Sequence, residues 1–296
     1  MRNAETTIER ALSSVLDQEI PDIEVMVFDG GSTDGTIDIL RKYEQRIAYW
    51  RSRPDGGPTN AINEGVARAS GDVICLLPGD DWFEPDALRR VQEAFTADPG
   101  LELLSCGTRY VRFDDAGNMH VDQQFLSPEE LEFSMEKVLA YPLTAGRIIR
   151  RRVYQRMGGH NGKFRFADYD FLVRVCLGGV RSGVLPFLTY TYRRHPGSTT
   201  FGNNPENILS MLRESMEMTA LHASRAGISA ENRKALLARN GRASAHYAWS
   251  SFRRGHWREM VSAVISAIRV NPYWPIYALG LLLFGSKSRG SIAAER

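Results

Sequence analysis

Two short apolar runs end in carboxylates, where such groups can handle a charged ligand. Residues 23–28 lead into Asp29-Gly30-Gly31-Ser32-Thr33-Asp34-Gly35-Thr36, and residues 73–77 into Pro78-Gly79-Asp80-Asp81-Trp82-Phe83. In an open α/β sheet, ligands bind off the carboxyl ends of the strands. The glycines of the first loop permit positive φ and let backbone N–H groups approach a ligand. Ser32, Thr33 or Asp34 can cap the helix that follows, so a plain strand-to-helix turn is the competing reading. In the second loop, adjacent carboxylates repel, and one pKa rises unless a cation is present. Asp80 and Asp81 are therefore candidate ligands for Mg²⁺ or Mn²⁺, oxygen-seeking ions that bridge diphosphates. The competing assignment is an N-cap for a helix that starts at Glu84.

The elements that must hold these loops follow from periodicity. Ile8, Ala11, Leu12, Val15 and Leu16 recur at helical spacing. The runs 23–28, 47–50 and 73–77 predict buried strands, alternating with helices that carry Ile37 and Leu40, Ala61 and Ile62, and Leu88, Val91 and Phe95. Such alternation specifies βαβ units and a mainly parallel sheet. Beyond Pro99, residues 101–113 and 119–125 predict strands joined at Asp114-Asp115-Ala116-Gly117, and Ser127-Pro128 opens a helix. Residues 148–149 and 184–192 predict further strands and 168–177 a helix. From about residue 204 the pattern is helical, with a join at Arg254-Gly255-His256.

Composition narrows the class. The 296 residues suit one large domain plus an appendage, and the net charge of +2 offers no case for nucleic-acid binding. Arg147, Arg150, Arg151, Arg152, Arg156, Lys163 and Arg165 crowd one stretch, either as a solvated face or as an anion-binding wall. Cys75, Cys106 and Cys176 lie unpatterned in apolar runs, as buried reduced thiols of a reducing, cytoplasmic compartment do. No signal-peptide pattern follows Met1. The apolar run 276–284 is much shorter than the roughly 20 residues that span a bilayer.

In order and spacing, Asp29 to Thr36, Arg53-Pro54-Asp55-Gly56-Gly57, Asn63-Glu64-Gly65, Ala69-Ser70-Gly71-Asp72 and Gly79-Asp80-Asp81-Trp82-Phe83 resemble family 2 glycosyltransferases. The resemblance covers about residues 3–200. It implies an inverting enzyme of the GT-A fold, a Rossmann-like α/β architecture. Such an enzyme moves a sugar from a nucleoside-diphosphate donor to an acceptor hydroxyl on a glycan or lipid-linked glycan, often in bacterial polysaccharide synthesis. By the same resemblance, Asp29 reads the nucleotide base with Gly30 and Gly31 beside it. Asp55 and Gly56 lie in the donor cleft, and Asp80 holds the divalent metal. The first acidic position of that metal motif is Pro78 here, so Asp80 is the direct carboxylate and Asp81 falls to the substrate side. Phe166-Ala167-Asp168-Tyr169-Asp170 is similar to the catalytic-base segment, with Asp168 as base and Asp170 as runner-up. Tyr192-Arg193-Arg194-His195-Pro196-Gly197-Ser198-Thr199 resembles the loop that folds over the diphosphate. In it His195 completes the metal shell or contacts phosphate, and Arg193 or Arg194 pairs with phosphate.

The family's first strand, which ends just before a position matched by Asn3, has no counterpart. The expectation is a sheet with that central strand missing, and a Met1 that is internal to a longer chain or a misassigned start. Domains are expected at 1–203, catalytic, and 204–296, helical. Residues 272–286 run from aromatic to apolar and are followed by the basic Lys287 and Arg289, as either an in-plane membrane anchor or a packed helix. An anchor there would place the enzyme peripherally at the inner face of the plasma membrane. Two other functional readings stay open at this point: a metal-dependent nucleotidyltransferase, and a degenerate nucleotide-sugar-binding subunit of an assembly complex.

Overall fold

The structure, a computed structural model, describes residues 1–141, 143–198 and 205–276. These divide into two compact units. The first comprises Met1–Phe133, Leu143–Lys163 and Ala167–Ser198; the described part of the second is residues 134–141, 164–166 and 205–276. The second unit thus draws two short stretches from within the span where the sequence shows no domain boundary.

In chain order the elements are α1 (Ile8–Leu16), β1 (Met26–Asp29), α2 (Thr36–Lys42), β2 (Tyr49–Ser52), α3 (Pro58–Arg68), β3 (Val73–Ile74) and β4 (Trp82–Phe83). Next come α4 (Ala87–Ala97), β5 (Leu103–Phe113), β6 (Met119–Phe125), α5 (Pro128–Leu131), α6 (Met135–Ala140), β7 (Arg147–Arg150), α7 (Arg151–Met157), α8 (Ala167–Leu177) and β8 (Ser182–Arg193). The chain continues with α9 (Pro205–Ala223), α10 (Ala230–Arg253) and α11 (Trp257–Val270).

The first unit carries two sheets. β1 and β2 pair in parallel, and a six-stranded sheet runs β3-β7-β5-β8-β4 with β6 also on β5. The expectation of mainly parallel pairing needs correction. Only β1–β2 and β5–β8 are parallel, whereas β3–β7, β4–β8, β5–β6 and β5–β7 are antiparallel. The cause is local: β5 and β6 join through a short turn with Gly117 at φ 82°, which only an antiparallel pair allows. The run 73–77 also contracts to β3, because β7 pairs only with Val73 and Ile74.

Two cores hold the sheets. Leu88, Val91 and Phe95 of α4 pack on Leu104, Ile148 and Tyr190, while Ile8, Leu12 and Leu16 of α1 pack on Val27 and Leu40. Leu77 packs against both. Ser127 forms the expected helix start as a full capping box with Glu130. The second loop caps nothing: α4 begins only at Ala87, with Asp86 in its N-cap position at φ 63°. Trp82 and Phe83 instead pair with β8, so the N-cap assignment for Asp80 or Asp81 is set aside.

The basic stretch is divided: Arg152, Arg156, Lys163 and Arg165 are exposed, as a solvated face requires, whereas Arg147 is buried. Arg147 donates to the Leu131 and Leu143 carbonyls at 3.0 and 2.9 Å and to Ser105 Oγ. Arg150 donates to the Leu101 and Phe95 carbonyls, Arg152 and Arg156 pair with Glu102, and Arg165 donates to Asn207. The thiols also differ from expectation. Cys106 is buried, but Cys75, just past the paired residues of β3, is exposed.

In the second unit Leu209 and Leu212 of α9, Ala243, Tyr247 and Ala248 of α10, and Ala263 of α11 form one core. Among the described residues no helix is long and apolar enough to cross a membrane. The apolar run from residue 277 onward, with Lys287 and Arg289, lies outside the described residues.

Candidate active site

The first acidic loop folds around its own carboxylate. Asp29 at the end of β1 is fully buried and accepts from Gly31 N (3.0 Å), Ser32 N (2.8 Å), Ser32 Oγ (2.5 Å) and Ser52 Oγ (2.6 Å) of β2. Burial pulls this carboxyl upward, but the bonds from Ser32, Ser52 and Gly31 outweigh it and leave the pKa below the ordinary value. Gly31 takes φ 83°, which turns its N–H back onto Asp29. Gly30 N bonds the Met1 carbonyl at 2.7 Å, and Met1 N bonds the Phe28 carbonyl at 3.0 Å.

The Asp55 loop meets the first one closely. A Cβ on Gly30 would lie 3.4 Å from Asp55 Oδ1, an ordinary van der Waals distance that puts the two loops side by side. Gly56 takes φ 73° in the turn, and Asp55 Oδ1 accepts from Gly57 N at 3.0 Å. Both loops are tied by Arg51 of β2, a residue the sequence reading passed over. Its buried guanidinium donates to the Asp29 carbonyl (2.8 Å), to Asp55 Oδ2 (3.3 Å) and twice to Glu64 Oε2 of α3 (3.0 and 2.8 Å). An arginine at a strand end between acidic loops is the signal that could have found it.

The second acidic loop meets the end of β8. Asp80 Oδ2 lies 2.9 Å from His195 Nε2, and each side chain is about one-third exposed. Its neighbour Asp81 faces the interior, where it accepts from Tyr190 Oη at 2.6 Å and from Arg193 N at 2.8 Å. Burial, with Asp80 beside it, pushes the Asp81 carboxyl up to about 7. The two arginines differ. Arg194 pairs with Asp122 of β6 at 3.0 Å, whereas the Arg193 guanidinium lies over the Phe113 ring at 5.7 Å and forms no ion pair among the described residues.

The helix α8 separates the two candidate bases. Asp170 is buried and bound by Arg174 at 2.8 Å, and that arginine also donates to the Met157 and Gly159 carbonyls. Asp168, in the first turn, forms no ion pair among the described residues. Burial raises its pKa, against hydrogen bonds from Tyr169 N and Thr144. Burial, with the nearby charges of Asp81 and Asp80, raises the pKa of the half-buried Tyr192 phenol above its ordinary value.

Thus Asp29, Gly30, Gly31, Asp55 and Gly56 form one cluster, and Asp80, Asp81, Arg193 and His195 another. Met1 touches both: a Cβ on Gly79 would lie 2.8 Å from its sulfur. Among the described residues no group of three or more His, Cys, Asp or Glu side chains converges as a metal cage. Asp80 and His195 still suit one ion, because their spacing matches an edge of an octahedron with bonds of about 2.1 Å. The rest of such a shell would come from a ligand and water.

The family model described as glycosyl transferase family 2 matches residues 1–158. Over 179 residues the chain is 33% identical to an uncharacterized glycosyltransferase of Mycobacterium tuberculosis, covering 57% of this chain and 64% of that one. It is 31% identical over 177 residues to a chondroitin synthase of Pasteurella multocida, covering 58% of this chain and 18% of the synthase. The matches therefore span less than two thirds of these relatives' length. In three dimensions the chain resembles S. aureus TarS 1–349 in complex with UDP-GlcNAc, with a TM-score of 0.72 at 17% identity over 95% of this chain and 83% of that one. It also resembles the mannosyltransferase PcManGT of Pyrobaculum calidifontis in complex with GDP-Man and Mn²⁺, with a TM-score of 0.60 at 18% identity over 97% and 79%. These matches displace the nucleotidyltransferase reading. The chain belongs to glycosyl transferase family 2 and has the GT-A fold.

Proposed function

We propose that the chain transfers a sugar, with inversion, from a nucleoside-diphosphate sugar to an acceptor hydroxyl in polysaccharide or glycoconjugate synthesis. Residues 1–203 act as the catalytic domain and 204–296 as a helical appendage. The observation that carries this reading is the meeting of Asp80 and His195, 115 positions apart in the chain, at 2.9 Å. The nucleotide lies against the Asp29, Gly30, Gly31, Asp55 and Gly56 cluster, whose glycines admit a close backbone approach. Neighbours of this fold are solved with UDP-GlcNAc and with GDP-Man, which supports a donor of that class.

Asp168 takes the proton from the acceptor hydroxyl as its oxygen attacks the anomeric carbon opposite the diphosphate. The new bond is carbon to acceptor oxygen, the bond to the diphosphate oxygen breaks, and its electrons leave with the diphosphate. Its raised pKa suits a base that must also hold the proton it removes. Asp170 is spent on Arg174, which favours Asp168 over the runner-up. Asp80 and His195 would hold Mg²⁺ or Mn²⁺, which would neutralise charge on the leaving diphosphate. Asp81 acts through the backbone: by gripping Arg193 N and Tyr190 it fixes the end of β8 and so the position of His195. Arg193 supplies the cation for the phosphates, and Arg194 steadies it from the Asp122 pair.

The test is a donor panel, UDP-, GDP- and dTDP-sugars with Mn²⁺, read as nucleotide release with and without acceptor glycans. The wild type is expected to turn over one donor class and Asp168→Asn to bind it without turnover. Donor binding with no turnover by the wild type across the acceptor panel would overturn the reading in favour of a binding subunit.

A further inference from the structure

The described residues of the second unit leave an apolar face uncovered where α10 meets α11. Trp249 and Phe252 near the end of α10, and Trp257, Val261, Ile265 and Ile268 along α11, are all exposed, Trp257 by 57%. The three rings pack on one another: Trp249 stacks on Phe252 with centroids 5.7 Å apart, and Phe252 meets Trp257 edge-on at 5.0 Å. The inward side of α11 is already occupied. Ala263 and Ala267 are buried, and Met260 and Val264 pack on the unit's core. At about 100° per residue, the four exposed apolar positions of α11 fall in one arc roughly 80° wide beside that inward side. The helix is thus apolar around much more of its circumference than its packing uses.

The outer edge of this arc is basic. Arg258 and Arg269 line a shallow groove of about 670 Å³ with Trp257, Val261 and Ile265, and stand about 16 Å apart along the helix. Residues 253–296 contain seven Lys or Arg and two Asp or Glu. Of those two acids, Glu259 is engaged by Tyr247 Oη at 3.2 Å and faces His256 Nδ1 at 3.6 Å. Beyond α11, Tyr273 and Ile276 are again exposed, at 70% and 67%.

We propose that this face seats α11 in the plane of a membrane surface rich in anionic phospholipid. Aromatic and aliphatic side chains enter the boundary between headgroups and acyl chains, and the bordering arginines meet lipid phosphates. A second copy of the chain fits less well, because a two-fold pairing would set Arg258 and Arg269 against their own like charges. A nucleic acid would leave the Val261, Ile265 and Ile268 stripe without a partner. The proposal moves the expected membrane contact from residues 272–286 to α11 and the end of α10. It is independent of the donor reading, since vesicle binding requires no nucleotide sugar.

The test is co-sedimentation of the full chain with vesicles of phosphatidylglycerol and phosphatidylcholine, against phosphatidylcholine alone. Binding is expected only with the anionic vesicles and should weaken as salt rises. Two variants probe the two halves of the face: Trp257→Ser with Val261→Ser and Ile265→Ser, and Arg258→Glu with Arg269→Glu. Each should lose at least about tenfold in partitioning, with the circular dichroism spectrum unchanged, and the arginine variant, whose altered residues are exposed, should also keep the wild-type melting temperature. Donor turnover measured without vesicles should also be unchanged. Equal binding by wild type and both variants would overturn the proposal and leave the contact to another part of the chain. Absence of vesicle binding, with a concentration-dependent dimer that the serine variant abolishes, would overturn it in favour of self-association.

Discussion

Replacing Arg51 by methionine tests whether one buried guanidinium holds the Asp29 and Asp55 loops, the proposed nucleotide side of the site, together. The substitution keeps the length of the stem and removes the donors to Asp29 O, Asp55 Oδ2 and Glu64 Oε2. Burial alone would lower the Arg51 pKa, yet the Glu64 and Asp55 carboxylates raise it above its ordinary value. The Asp55 side chain is only 11% exposed and would lose its ion-pair partner among the described residues, whereas Glu64 keeps Arg53 and Arg68. Removing one partner from a buried pair costs about 3–5 kcal/mol, and the surviving pairs at Glu64 place this case near the lower end. At about 2–4 °C per kcal/mol, the melting temperature should fall by about 6–12 °C. Asp55→Asn alone leaves Arg51 on Glu64 and should cost only about 1 kcal/mol. In Arg51→Met with Asp55→Asn no charge is stranded at Asp55, so the double variant should be more stable than additivity predicts by about 1–3 kcal/mol. Thermal unfolding gives the cycle, and donor KM, expected to rise for Arg51→Met, reports on the loops. Strict additivity, or a melting temperature within about 2 °C of wild type, would refute the argument.

Asp168→Asn should lower turnover by about 10²–10⁴-fold, as loss of a general base does, without lowering the melting temperature. The wild-type rate should fall as pH drops through the Asp168 pKa, which burial sets above the ordinary carboxylate value; a pH–rate profile without that acid limb would reject this base. His195→Ala should weaken the apparent Mn²⁺ affinity at least about tenfold, read by metal titration of donor turnover, because the ion would lose one of its two proposed protein donors. Burial and the nearby Arg174 depress the His160 pKa from 6.5 to about 4, with Asp170 opposing. The unfolded chain therefore takes the proton first, and stability should be lost as pH falls from about 6.5 to about 4, by about 3 kcal/mol in all. Denaturant titrations at several pH values measure this, and His160→Phe should flatten the dependence.

Periodicity located most elements of the first unit because apolar spacing reports directly on a buried face. The residues recurring in α1 and α4 are those in the cores, and the Ser127 capping box was readable because its donors and acceptors lie within three residues. Strand limits were less legible. The run 73–77 reads as a strand, but a ladder exists only where a partner supplies hydrogen bonds, and β7 reaches two of its residues. Pairing direction misled for the same reason, since alternation of helix and strand does not say which strands become neighbours.

The residue types of the site were set by sequence alone: two acidic strand-end loops, an acid at the start of a helix, and a histidine after the last strand. Family resemblance rested on those short segments because each needs only local backbone chemistry. Tertiary structure decided what each group is free to do. It turned Asp81 inward to Tyr190 while leaving Asp80 beside His195, a difference that adjacent identical residues cannot reveal. It spent Asp170 and Arg194 on Arg174 and Asp122, and it made Arg51 the tie between two loops. It also left an apolar stripe on α11 exposed. The physical reason is common to all four cases. A side chain's charge and polarity are properties of its own atoms, but its burial and its partners depend on residues brought near by folding.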